Sequence, residues 1–292
     1  MRNLARVDNP KGRTKQEEHH HYSQLKTHYD KKNKLGWLFM NSSPRPYFTP
    51  QLLNDIAHHH HQVQVDMEKS DHTKYDYLIF ASDEQHVFSL GQDIDLIYQL
   101  IKQQNREQLA LYAKNSIAPL YQNLTHLGCD ITTVSLVQGD ALGGGFEAAL
   151  STDLIIAERG SKFGFPEVLF NSFPSMGGFS LLSRKAGTHV AEKLILSGQL
   201  LPAEALYEIG IIDILAEKGE GELELYKFIK GQNPRVKQQQ TIRKVKASCN
   251  PISYQELLRV SDLWVDNTLK TNNKDLRMME RLIARQRASL SS

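Results

Sequence analysis

Three consecutive glycines, Gly143, Gly144 and Gly145, follow the β-prone run Ile131–Val137 and stand where a helix should begin. Glycine inside regular structure is destabilising by roughly 0.5–1 kcal/mol relative to alanine, so three together mark a backbone that must bend sharply or approach something closely. Two residues beyond the turn stands Glu147, a carboxylate among Phe146, Ala148, Ala149 and Leu150. A second acid, Glu167, follows in the run Phe163-Gly-Phe-Pro-Glu-Val-Leu-Phe170. A turn that exposes backbone N–H groups, beside two acids in apolar surroundings, is what enolate chemistry at a carbonyl needs.

The bulk numbers exclude several classes. At 292 residues, 40% hydrophobic and 23% charged, the chain has the size and composition of a soluble globular enzyme of one large domain or two small ones. A net charge of +2 gives no reason to expect a nucleic-acid or membrane-surface partner. Cys129 and Cys249 are far apart, form no metal-spacing motif and fit reduced thiols of a cytoplasmic protein. The segment Met1–Lys15 has no apolar core and does not read as a signal peptide, and no apolar run approaches membrane-spanning length.

Residues 1–34 are rich in Lys, Arg, Asn, Gln and His and are expected to form a polar, flexible extension, part of which can add a strand. Leu35–Met40 and Asp76–Ala81 read as strands. Thr49-Pro50 reads as the N-cap and first residue of a helix running to about Asp66. A loop through Ser82–Asp93 should lead into a long helical region ending near Leu127. Ile131–Val137, Leu154–Ala157, Lys162–Gly164 and Ile211–Ala216 complete the expected strands, with helices over Phe179–Ala186, Val190–Leu196 and Pro202–Ile209. From Leu223 the pattern is helical and amphipathic, with Leu257, Leu258, Val260, Leu263 and Trp264 along it. Strands alternating with helices, then a helical tail, give an α/β core at 35–216 and a C-terminal helical subdomain at 217–292.

From Leu35 to Ala216 this order of motifs resembles the crotonase (enoyl-CoA hydratase/isomerase) superfamily. The markers are Phe88-Ser-Leu-Gly-Gln-Asp93, the Gly143–Gly145 turn with Glu147, Asp153–Ala157, Phe163–Glu167, Leu196–Ala205 and Gly210–Asp213. The resemblance implies a crotonase (ClpP/crotonase-like) spiral of repeated β-β-α units. Pro44–Pro50, Gly143–Leu150 and Glu167–Gly177 are most similar to the diffusible-signal-factor synthases of bacterial quorum sensing. The chain departs from a typical hydratase after Pro174, at Ser175 where glycine is usual, and at Gln92 where a small residue is usual.

By that resemblance, the backbone N–H groups of Gln92 and Gly144 would form an oxyanion hole for a thioester carbonyl. Glu167 would move the α-proton, and Glu147 would protonate a departing β-hydroxyl or activate water in reverse. Two neighbouring carboxyls in an apolar pocket resist ionising together, which leaves one acid and one base near neutral pH. Leu90, Gly91, Gly143, Phe146, Phe170, Met176 and Gly177 are expected to line the acyl pocket, and no cofactor or metal is implied. The implied reaction is dehydration of a medium-to-long 3-hydroxyacyl thioester, on acyl carrier protein, to a cis-2-enoyl product that is then hydrolysed. The alternatives are an enoyl-CoA hydratase or isomerase acting on CoA thioesters, and a non-catalytic binding or regulatory protein. The resemblance also implies a sensor-kinase partner and a homo-oligomer, a trimer or dimer of trimers. The tail around Leu257–Trp264 suits either a subunit contact or packing on its own subunit.

Other features take plainer readings. His58–His61 points all round a helix and reads as a solvated face rather than a metal site, as does His19–His21. Asp93 and Asp95 suit a helix start. Ser180, Ser183 and Asp213 lack the Gly-x-Ser-x-Gly elbow of a hydrolase. Phe146, Phe165, Phe170, Phe173, Met176 and Phe179 divide between core and acyl tunnel.

Overall fold

The computed structural model describes residues 22–42, 45–84, 86–232 and 236–289. Two sheets grow side by side along the chain. The first hairpin, β1 (Leu25–Asp30) and β2 (Leu35–Met40), pairs antiparallel. Helix α1 (Pro50–Lys69) then starts where Thr49 caps it, the hydroxyl accepting from the Leu52 N–H at 3.0 Å. From there the chain repeats one pattern: a strand in a large sheet, a short strand in a small sheet, then helix. β3 (Tyr77–Ser82) and β4 (Val87–Ser89) precede α2 (Ile94–Lys102) and α3 (Arg106–Leu124); β5 (Thr132–Val137) and β6 (Asp140–Leu142) precede α4 (Gly144–Leu150). β7 (Leu154–Glu158) and β8 (Lys162–Gly164) precede a 3-10 turn at Pro166–Phe170, α5 (Gly178–Ala186) and α6 (Thr188–Ser197). β9 (Leu201–Pro202), α7 (Ala203–Glu208) and β10 (Ile214–Ala216) close the core. The large sheet runs β1-β2-β3-β5-β7-β10 and the small one β4-β6-β8-β9, so each repeat adds one strand to each sheet. This is the expected spiral of β-β-α units.

The period-two alternation of the strands sorts side chains between two cores. Tyr77, Ile79, Ala81, Leu136 and Ile156 face outward and are covered by Leu225 and Ile229 of α8 (Gly221–Gln232). Phe80, Val137, Ile155 and Ala157 face inward, toward the small sheet and the helices. There Phe146 of α4 stacks on Phe165 at 5.1 Å between centroids and meets Phe163 edge-on at 5.2 Å. Three more helices follow α8: α9 (Val236–Cys249), α10 (Tyr254–Thr268) and α11 (Asn273–Ser289). Leu257 and Val265 are fully buried in the inner core, so α10 folds back on its own subunit.

Several expectations shift. β1 lies inside the segment read as a flexible extension; residues 1–21, with His19–His21, lie outside the described residues. The long helical region before Leu127 is two helices, broken where Gln104 takes φ 51° and Asn105 caps α3. β4 falls in the expected loop and β6 in the expected glycine turn. His59 and His60 are buried, not solvated, because α1 turns that face onto the core; His60 Nδ1 lies 3.1 Å from Gln122 Oε1, and burial pushes its pKa down to about 4.

Phe146 is 2% exposed at the centre of the inner core. Phe146→Ala is expected to lower the unfolding free energy by about 3–5 kcal/mol in denaturant titration; wild-type stability would mean the ring does not pack there.

Candidate active site

The candidate site stands at the carboxyl ends of three adjacent parallel strands, β4, β6 and β8. Beyond β4 comes Leu90-Gly91-Gln92, beyond β6 comes Gly143-Gly144, and beyond β8 comes Phe165-Pro166-Glu167. Strand pairing alone therefore brings together segments that lie far apart in the chain, at 90–92, 143–144 and 165–167. The loops then close to backbone contact. Gly91 has φ 93°, and a Cβ there would lie 2.7 Å from Leu142 O and 2.9 Å from Gly144 N. Gly143 has φ 50° and ψ −122°, a conformation disfavoured for L side chains, and a Cβ there would meet Glu167 Oε1 at 2.3 Å. The Gly143 N–H donates to Gly164 O at 2.8 Å, tying the turn to β8. With Gly143 so twisted, α4 starts at Gly144. The N–H groups of Gly144 and Gln92 donate to none of the described residues. Gln92 N sits 3.3 Å from where a Gly144 Cβ would be, so the two free donors are neighbours.

Glu147 is 0% exposed on the first turns of α4. Its Oε1 accepts the Met176 N–H at 2.8 Å and the Gly178 N–H at 2.7 Å, while Oε2 is buried without a partner among the described residues. Burial, and then the charge of Glu167, raise its pKa to about 8 against the pull of those N–H groups. Glu167 stands half-buried on the 3-10 turn, its Oε2 also without a partner among the described residues, and burial raises its pKa to about 7. At neutral pH Glu147 is thus the better proton donor and Glu167 the better acceptor. Both folded values exceed the ordinary 4.5, so the folded chain holds more protons than the unfolded one between there and about 8. Stability therefore falls as pH rises through that window.

A cleft enclosing ≈ 550 Å³ of empty space, partly open to solvent, runs along this site. Of the residues expected at the site, Leu90, Gln92, Gly143, Glu167 and Phe170 line this cleft. Other expected residues do not. Gly91 is packed beneath Gly144. Phe146 belongs to the inner core, because α4 turns its ring toward β8 rather than the cleft. Gly177, with φ 106°, precedes α5 and abuts Leu257. Met176 is 2% exposed, its Cε against Gly144, and borders a second cavity with Phe48, Leu53, Phe80 and Ala148. Its side chain covers the Gly144 side of the site, and neither Gly144 nor Glu147 lines the open cleft. Phe179 is 46% exposed and serves neither core nor cleft.

Sequence reasoning missed the roof of the cleft: Trp264 and Thr268 of α10, Thr271, and Met279 and Leu282 of α11. The three- to four-residue spacing of apolar side chains along the tail signalled a buried face but not its target. Polar contacts hold this roof: Arg106 bonds Asp266 at 3.0 Å, Asn171 Nδ2 donates to Asp275 at 3.2 Å, and Tyr98 donates to Glu280. Asp93 caps α2 through the Leu96 N–H, and Asp95 pairs with Arg45. Asp213 accepts from the Ile155 N–H and Lys185, which gives it a structural task. Among the described residues no group of three or more His, Cys, Asp and Glu could hold a metal ion, and no helix is long and apolar enough to cross a membrane.

Similarity to known proteins agrees with this arrangement. The chain is 39% identical over 87 residues to a short-chain-enoyl-CoA hydratase of Clostridium acetobutylicum, covering 30% of this chain and 33% of that protein. The matched stretch thus spans about a third of the curated relative's length. Among solved structures, the fold is like that of an enoyl-CoA hydratase from Bacillus halodurans, with TM-score 0.74, 19% identity, and coverage of 89% of this chain and 100% of that one. It is also like human mitochondrial delta3-delta2-enoyl-CoA isomerase, with TM-score 0.72, 16% identity, and coverage of 91% and 99%. The Enoyl-CoA hydratase/isomerase family model matches residues 50–281, most of the chain and all three strand ends at the cleft, and the chain belongs to that family.

Proposed function

We propose that the cleft binds an acyl thioester of coenzyme A and adds or removes water across its α,β carbon bond. The observation that carries this reading is a pair of carboxyls, buried Glu147 and half-buried Glu167, raised to about 8 and about 7 beside two backbone N–H groups that bond none of the described residues. The thioester oxygen would accept from Gly144 and Gln92, which lowers the barrier to charge on that oxygen by a few kcal/mol. In dehydration Glu167 takes the Cα proton, the electron pair moves into the thioester, and the Cβ–O bond breaks as Glu147 protonates the leaving hydroxyl. Hydration is the reverse: Glu147 takes a proton from water as its oxygen bonds Cβ, and Glu167 returns one to Cα. Double-bond isomerisation needs only a single shuttling carboxyl, so a second raised acid favours hydration. The names of the relatives, enoyl-CoA hydratases among them, support the same substrate class.

The carrier-protein substrate, cis product, thioester hydrolysis, sensor kinase, trimeric assembly and non-catalytic role expected or weighed from the sequence gain no support from the relatives or the cleft. Mass spectrometry after incubation with a 3-hydroxyacyl carrier protein tests the narrower reading: released unsaturated acid would replace the present one.

Hydration of a short 2-enoyl-CoA, followed by loss of the conjugated absorbance, is expected. Glu147→Gln and Glu167→Gln should each lower kcat by roughly 10²–10⁴-fold, with little change in the affinity for a saturated acyl-CoA. Unchanged turnover in both variants would remove the carboxyls from the mechanism. The rate should also follow a bell in pH. Both directions need the two carboxyls to share one proton, so the rate climbs as the pair loses its first proton near 7 and declines as it loses the second near 8; a flat profile from pH 5 to 9 contradicts the pairing.

A further inference from the structure

The proposed reaction uses the backbone of Gln92 and leaves its side chain without a task. Gln92 lines the same cleft as Glu167 and Gly143, yet its Nε2 is buried and has no hydrogen-bond partner among the described residues. A buried amide donor left unpaired destabilises a fold, so its natural partner is something the cleft receives. Of the lining residues, Leu90, Ile94 and Gly143 offer apolar or backbone surface only, and Glu167 Oε2, itself without a partner among the described residues, makes no hydrogen bond to it. The position of the side chain narrows the choice. Its Cγ lies 3.3 Å from where a Gly144 Cβ would stand, beside the residue whose N–H is proposed to hold the thioester oxygen. A side-chain amide rooted there is within reach of the first carbons of an acyl chain whose carbonyl is held at Gly144.

We infer that the Gln92 side-chain amide donates a hydrogen bond to an oxygen carried at C3 of the acyl chain, making the cleft selective for 3-oxygenated acyl thioesters over plain alkyl ones. This rests on the hydratase reading and adds a specificity residue to it. The unpaired donor gives the discrimination its sign: an alkyl chain leaves Nε2 unsatisfied, whereas a C3 oxygen satisfies it. Rates of hydration and dehydration cannot reveal this, since their ratio is bound to the overall equilibrium whatever Gln92 does. Ligands that do not turn over can.

The test is calorimetric binding of acetoacetyl-CoA and butanoyl-CoA to the wild-type chain and to Gln92→Met, a swap of similar volume that keeps the backbone N–H. Wild type should bind acetoacetyl-CoA more tightly. The variant should lose about tenfold of that preference, the scale of one hydrogen bond to a buried donor, while butanoyl-CoA binding stays within about twofold. An unchanged preference, or equal weakening of both ligands, overturns the role of Gln92 and leaves the hydratase reading standing. Failure of the wild-type chain to bind either thioester overturns both.

Discussion

The site depends on one contact between two stretches of backbone. Gly91, after β4, lies against Leu142 O and Gly144 N, after β6, with no room for a Cβ between them. Two consequences follow from that approach. The N–H groups of Gln92 and Gly144 end up as neighbours with nothing among the described residues to bond, which is the condition for holding an oxyanion. The twist at Gly143 also starts α4 at once, which sets Glu147 deep in the core and leaves space for the Glu167 carboxyl where a side chain would otherwise be. Glycine at 91 and 143 is thus a steric requirement of the proposed chemistry as much as of the turn.

Electrostatics supply the second half. A carboxyl in an apolar interior keeps its proton well above the usual range unless N–H groups hold its anion. Glu147 has two such donors on Oε1 and is still raised, because burial and the charge of Glu167 outweigh them. That balance divides the labour: the more deeply buried acid carries the proton, and the acid on the cleft wall is the more readily ionised. The same burial opposes folding at alkaline pH, so the two proposed catalytic acids are ones the fold holds at a loss.

The legible parts of the sequence were local. Glu147, Glu167 and the glycine turn stood out because each carries its signal within a few residues, and the helix start at Thr49-Pro50 needed only its own hydroxyl and ring. β4 and β6 did not, since each is a three-residue piece next to loop and turn residues; they are strands only because β8 and each other supply the partners. Phe146 shows the converse error. Proximity in sequence to an acid suggested a pocket wall, but residues next to each other on a helix point in different directions, and this ring points into the core. His59 and His60 failed for a like reason: a run of four identical residues says nothing about which of them the helix turns inward. Ile97 and Ile101, like Trp264 and Met279, reach the cleft through tertiary packing that no short window contains.

That roof has a bearing on how the protein is made. Floor and acids are complete in chain order by the 3-10 turn at Pro166–Phe170, whereas Trp264 and Met279 come about a hundred residues later. A nascent polypeptide that has left the ribosome only as far as β10 carries an apolar trough open to water, with Leu90, Ile97, Ile101 and Phe170 uncovered. Until α10 and α11 arrive, that trough is a sticky surface for chaperones or for other unfinished chains. Synthesis from the N-terminus therefore delivers the reactive groups first and their shelter last.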